Sequence, residues 1–240
     1  MTAPLQLCVF PTGEGMFNLS PFCTKAEILL RMAGIDHELV IPEDFTTFPK
    51  AKLPVLLDGD AVIEDSEIIR KHLERKYGAR LDGGLTTVQK ALGHALCRMV
   101  EERTRYALLL ARWHEDEGWA QTKAIFFAGA PEEVTEGVRE EVRKTLHLNG
   151  LSRHSDDEIR EFIRDDLAVL STVLGADDWF FGAAPTHVDA CIFGLLANMY
   201  AAPISTWTSA AVAEFPSLVA YVNRGLERWY PAAAAQTKAA

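Results

Sequence analysis

Two spacings of apolar residues divide the chain. Over residues 1–78, short apolar runs alternate with a helical pattern. The run LQLCVF, residues 5–10, is compact and rich in strand formers, so it predicts a buried strand. A polar, glycine-bearing loop, PTGEGMFNLS, follows it. Phe22, Ala26, Leu29, Leu30 and Ala33 then fall on one helical face, and Gly34 supplies the stop. HELVI predicts a second strand. After a loop carrying Pro42 and Pro49, LPVLLDGDAVIED predicts two more strands around Asp58–Gly59, a hairpin turn signal. A helix starts at Ser66 and carries Ile69, Leu73 and Tyr77. The expected order is strand, helix, strand, strand, strand, helix.

Beyond GARLDGG the strand pattern stops, which places the boundary near residues 79–84. Residues 85–232 read as long helices interrupted at GAPEE, LNGLSRHSD and FFGAAPTH. Ser155 and Glu158 have capping-box spacing: the serine oxygen takes a free backbone N–H, and the glutamate reaches back to the cap. Ile159, Phe162, Ile163, Leu167, Leu170 and Leu174 form the apolar stripe behind it. Thr186 and Asp189 make a second box. The helix after it is apolar nearly all round, which predicts a place at the centre of the helical half. No internal repeat is present. The terminal AAAAQTKAA is low in complexity and is expected to fray.

The chain has 240 residues, of which 48% are hydrophobic and 24% charged, enough for one large domain or two small ones. A net charge of -10 argues against nucleic acid as a partner, because phosphate binding needs a clustered basic surface. Cys8, Cys23, Cys97 and Cys191 are too scattered for a metal-ligand motif or a disulfide framework. His94, His114 and His147 have no ligand spacing either, so no metal is assigned. The N-terminus lacks the pattern of a signal peptide, and no run reaches the ~18 apolar residues of a membrane span. A cytoplasmic protein with free thiols and no membrane contact is expected.

Three short stretches carry chemistry. In SPFC, Ser20 stands at the N-cap of the first predicted helix and Pro21 in its first turn, where a missing N–H costs nothing. A redox motif would place a cysteine at Ser20. A serine there either only caps the helix or donates a hydrogen bond to a thiolate held at the positive helix end. Cys23, without a partner thiol, reads as a buried packing residue or an accessory group. In KLPVLL, Pro54 leads a strand, as an edge proline does. In EDSEII, Asp65 and Ser66 precede free helix N–H groups. The N–H groups and the hydroxyl can take a carboxylate, and Asp65 an ammonium, the two charges of an α-amino-acid head. Tyr106 and Trp113 lie on the helices after residue 85, where aromatics at helical spacing form either core or a pocket wall.

SPFCTKAEILLRMAGI, KLPVLLDGDAVIEDSEIIRKHLE and FFGAAPTHVDACIFGLLA together resemble the cytosolic glutathione S-transferases. SPFCTKAE, NGLSRHSDDEI and FPSLVAYVNRGLERWYP are most similar to the failed-axon-connections and metaxin-like branch, with its bacterial members. The resemblance implies an α/β thioredoxin-like N-terminal domain, residues 1–78, followed by an all-helical domain, residues 85–232. It implies a cis Pro54, and glutathione as co-substrate. The glutathione cysteinyl backbone would pair with Leu53 beside Pro54, and its γ-glutamyl head would meet Asp65 and Ser66. Ser20 would activate the thiol, since the first strand offers no tyrosine. Thr186 and Asp189 would be structural.

The expected activity is conjugation of glutathione to a small apolar electrophile, in a cleft lined by Tyr106 and Trp113, in a homodimer. The alternative is a non-catalytic, metaxin-like scaffold for protein contacts. Disulfide exchange ranks last, because it needs the cysteine that Ser20 replaces.

Overall fold

The computed structural model describes residues 4–237. Four strands, β1 (Leu5–Cys8), β2 (His37–Val40), β3 (Val55–Asp58) and β4 (Ala61–Glu64), form one sheet in the order β2-β1-β3-β4. β1 pairs in parallel with β2, and the pairings β1–β3 and β3–β4 are antiparallel. The parallel β1–β2 pair requires a crossover, and α1 (Pro21–Ala33) supplies it. Gly34 closes α1 in a left-handed conformation at φ 65°, as its position in the sequence predicts. The loop with Pro42 and Pro49 holds a single 3-10 turn, Phe45–Thr47, capped by Asp44. The hairpin turns at Gly59, and α2 (Ser66–Tyr77) ends the N-terminal half.

The second half is helical. α3 (Thr87–Met99) runs through a π segment, Val100–Thr104, into α4 (Arg105–Leu109) and a second π segment, Leu110–His114. Then come α5 (Asp116–Phe126), α6 (Glu132–Asn149), α7 (Asp156–Leu174), α8 (His187–Tyr200), α9 (Trp207–Ala213), α10 (Pro216–Trp229) and α11 (Pro231–Thr237). Both capping boxes are formed, at Ser155–Glu158 and at Thr186–Asp189. Every residue of α8 from Val188 to Met199 is buried, so the all-round apolar pattern does mark the centre of this half.

α1 is buried from Cys23 to Leu30 without a break, rather than on one face only. It is enclosed because α8 packs closely against it. A Cβ on Gly194 of α8 would sit 2.6 Å from the Pro21 carbonyl oxygen, so only glycine allows this approach. The contact fixes the start of α1, and Ser20 with it, against the helical half.

The expectation of a frayed tail from residue 232 is corrected. α11 extends to Thr237, Ala233 and Ala234 are buried, and a Cβ on Gly15 would meet Ala232 at 2.7 Å. Alanine has the highest helix propensity, and its small side chain packs under the loop before α1. Residues 238–240 lie outside the described residues.

Candidate active site

Strand register brings the three chemical stretches to one end of the sheet. Cys8 of β1 pairs with Val55 of β3, and Val55 pairs with Glu64 of β4. The chain therefore leaves β1 toward Ser20, enters β3 through Pro54 and leaves β4 through Asp65 at the same edge. The Leu53–Pro54 peptide is cis, as the family resemblance implies. The Asp65 N–H donates to the Pro54 carbonyl at 3.4 Å, which joins the second stretch to the third. The backbone N–H and C=O of Leu53 have no partner among the described residues. Buried backbone groups are nearly always paired, so this free segment is one that an extended peptide can complete.

Ser20 is the N-cap of α1, with extended backbone at φ -97°. Its Oγ accepts from the Cys23 N–H at 3.5 Å, a long bond. Capping uses a lone pair of Oγ, and the hydroxyl proton is shared with the Cys23 thiol until a ligand sulfur takes its place. The two sequence-level roles for Ser20 are thus compatible. Cys23 is fully buried, and its thiol is pushed up to about 12, chiefly by burial and despite the hydrogen bonds from Ser20 and the Phe10 backbone. Such a thiol is protonated at neutral pH.

The loop before Ser20 is held by polar groups that the sequence patterns do not single out. The Ser20 N–H donates to Asn18 Oδ1 at 3.0 Å, and Asn18 Nδ2 donates to the Phe10 carbonyl at 2.7 Å. Asn198 of α8 donates to the Asn18 carbonyl at 3.1 Å. Arg112, in the second π segment, donates from Nη1 to the Leu19 carbonyl at 3.0 Å and from Nη2 to the Asn198 carbonyl at 2.6 Å. One signal for Arg112 exists in the sequence: it is a lone charge within the apolar run ALLLARW.

Asp65 takes a positive φ of 89°, a region non-glycine residues rarely occupy and one that clusters at functional sites. Its Oδ1 accepts from the Glu67 and Ile68 N–H groups at 2.8 and 3.3 Å, so Asp65 itself caps α2. That arrangement leaves fewer free N–H groups than the sequence suggests, but leaves Oδ2 open to an ammonium. Ser66 is buried, and no partner for its hydroxyl occurs among the described residues. The Lys50 N–H donates to Glu64 Oε1 at 2.7 Å and Lys50 Nζ to the Glu64 carbonyl at 3.1 Å, pinning the preceding loop beside Asp65.

Of the two expected pocket aromatics, Tyr106 is linked to the start of α1 only through Arg105. Its Oη accepts from Arg105 Nη2 at 2.7 Å, and the Arg105 guanidinium lies 5.4 Å from the Phe22 ring centre. A cavity of about 10 Å³, bounded by Pro21, Phe22, Lys25, Glu101 and Arg105, lies between the halves there. Trp113 packs instead with Trp119, Phe126 and Phe127, at ring separations of 5.6, 6.3 and 6.0 Å, beside α5.

Residues 21–118 match the family described as glutathione S-transferase N-terminal domain, and residues 163–225 match the glutathione S-transferase C-terminal domain. The chain is 30% identical to the isoprene-epoxide–glutathione S-transferase of Rhodococcus sp. strain AD45, over 88% of this chain and 92% of that one. It is 29% identical to Failed axon connections of Drosophila melanogaster, over 89% of this chain and 55% of that protein. Metaxin-3 of Xenopus laevis is 25% identical, over 82% of this chain and 67% of that one. Among solved structures, glutathione S-transferase III in apo form superposes with a TM-score of 0.62 at 21% identity, covering 99% of this chain and 97% of that one. A thioredoxin-like half, an all-helical half and these matches across both place the chain in the glutathione S-transferase family.

Proposed function

We propose that this protein conjugates the glutathione thiolate to a small apolar electrophile. The observation that carries this reading is the unpaired backbone of Leu53, at the same sheet edge as Ser20 and the strained Asp65. Glutathione is a peptide with an amino-acid head, and each part has a counterpart there. The cysteinyl backbone pairs with Leu53 next to cis Pro54. The γ-glutamyl carboxylate meets Ser66, and its ammonium meets Asp65.

The thiol then lies at the N-terminus of α1, where the helix dipole favours an anion and the Ser20 hydroxyl donates to sulfur. Together these favour the thiolate at neutral pH. The sulfur attacks the electrophilic carbon, a carbon–sulfur bond forms, and the bond to the leaving atom breaks with its electron pair. Tyr106 stands on the electrophile side. The named substrate of the Rhodococcus relative makes an epoxide a suitable first electrophile to test.

A second reading, a protein-interaction module, is favoured by the Failed axon connections and metaxin relatives and by Val134, Val138 and Leu148, exposed along α6. A homodimer is the expected assembly, and Val88 and Leu92 give α3 an exposed apolar strip for it. Among the described residues no helix is long and apolar enough to cross a membrane. The four cysteines are free and buried, in keeping with a reducing, cytoplasmic location. The experiment that separates the two functions is direct. Retention on immobilised glutathione, a rise of Tm with free glutathione and turnover of a generic epoxide or aryl halide support the transferase. Absence of all three supports the interaction module.

A further inference from the structure

Three cations are buried among the described residues: Lys25, Arg112 and Arg139. Lys25 pairs with Glu101 and Glu67, and Arg139 pairs with Asp116. Arg112 has no carboxylate within ion-pair distance among the described residues. Its partners are neutral oxygens: the Leu19 carbonyl at 3.0 Å, and the Asn198 carbonyl and Oδ1 at 2.6 and 3.2 Å. Its Nε is buried with no hydrogen-bond partner at all. Burial pulls the guanidinium down to about 10, which still leaves it charged at neutral pH.

A buried charge without a counter-ion is costly, and proteins normally neutralise it. Here one arm of the guanidinium reaches the loop that carries Ser20. Leu19 directly precedes Ser20, and the second arm reaches the same loop through Asn198, which holds the Asn18 carbonyl. A wide π turn, a feature frequent at functional sites, carries Arg112.

We propose that Arg112 is a positioning residue that also supplies positive charge to an anion held at Ser20. The counter-ion that the fold omits is then the thiolate of the bound co-substrate. The identity of that co-substrate rests on the transferase reading above; the charge at Ser20 does not.

Other groups around the site contribute less to this field. On α1, Cys23 is neutral, Lys25 is balanced by two carboxylates, and Glu27 is paired with Arg31. On α8, Asp189 is engaged by the Thr186 and Phe180 N–H groups and Cys191 is a buried neutral thiol. Toward α5 and α6, Arg139 and Asp116 face Trp113 and His114. Arg105 on α4 is the competing cation, but it is half-exposed and therefore screened.

The test needs no glutathione. Ser20→Cys puts a titratable thiol at the site, and its thiolate absorbance is followed against pH, with the parent protein as the blank. Burial pushes the Cys23 thiol up to about 12, and losing the Ser20 hydroxyl only raises it further, so it stays outside the window. The introduced thiol is expected to titrate below an ordinary thiol. Adding Arg112→Gln should raise its midpoint by about one unit, a roughly tenfold loss of thiolate at a given pH below it. Arg112→Lys should restore most of the depression, because it keeps the charge and loses only the fork. Arg105→Gln should change the midpoint little.

Two results overturn the proposal: an unchanged midpoint with Arg112→Gln, or equal midpoints with Arg112→Lys and Arg112→Gln. If Arg112→Gln does not fold, Arg112→Met, which removes the charge and leaves no polar group on the side chain to satisfy, takes its place. A raised midpoint then supports the proposal, and an unchanged one overturns it. A protein that shows the Arg112 effect yet ignores glutathione refutes the transferase reading and leaves this inference standing.

Discussion

The Lys25 ammonium on α1 lies 2.7 Å from the Glu101 carboxylate, which belongs to the helical half. Both side chains are buried, and Lys25 also reaches Glu67 of α2 at 3.4 Å. Arg98 closes the Glu101 side of the network and Arg70 the Glu67 side. One buried cation thus joins both site-bearing helices to the helical half. Lys25→Ala leaves Glu101 buried beside a cavity, and should cost roughly 3–5 kcal/mol. Urea unfolding checks this, and Lys25→Met combined with Glu101→Leu should recover part of the loss.

The same network makes stability depend on pH. Burial raises the Glu67 carboxyl, but Arg70 and Lys25 outweigh it and hold it down at about 2, against an ordinary 4.5. A carboxylate depressed in the folded state contributes its stability above the unfolded value and loses it as the pH falls toward the folded one. The melting temperature should therefore drop between about pH 4.5 and 2. Glu67→Gln should flatten that drop, at the expense of stability at neutral pH.

Asp189 behaves oppositely. Its Oδ atoms accept from the Phe180 N–H at 2.8 Å and the Thr186 N–H at 2.7 Å, yet burial dominates and raises its pKa to about 6. Between the unfolded value of 3.8 and about 6 the folded state binds the extra proton, so this residue's contribution falls as pH rises through that window. Asp189→Ala orphans buried donors, and should cost about 2–4 kcal/mol, each orphan being worth roughly 1–3. Retained Tm with lost activity would instead make Asp189 functional.

At the γ-glutamyl side, Ser66→Ala should weaken glutathione binding by roughly 1.5–3 kcal/mol with little change in fold. Asp65→Ala should do the same and also loosen α2, because Asp65 caps it. Asp65→Asn keeps the capping oxygen and removes the charge, so it isolates the binding term. Calorimetry reads all three, and unchanged affinity throughout removes this assignment.

What the sequence makes legible here is local. Helix starts at Ser20–Pro21, Ser66, Ser155 and Thr186 follow from short-range capping chemistry, and the succession of strands and helices along the N-terminal half follows from apolar period and turn residues. The groups missed act over long separations. Arg112 meets Leu19 across 93 positions, and Lys25 meets Glu101 across 76. No periodicity encodes such a pair. The π turns escaped because their apolar pattern matches an ordinary helix over five residues. The helical tail escaped because its order comes from packing under Gly15, which composition alone does not report.

On the proposed function, this site holds a glutathione thiolate, with Ser20 donating to it. Thiolate absorbance of the glutathione complex, titrated against pH, tests it most directly. The parent complex should show the thiolate band at neutral pH, and Ser20→Ala should move the midpoint upward by about one unit, close to 1.4 kcal/mol. A complex with no thiolate below the ordinary range of a free thiol, or no complex at all, contradicts the account.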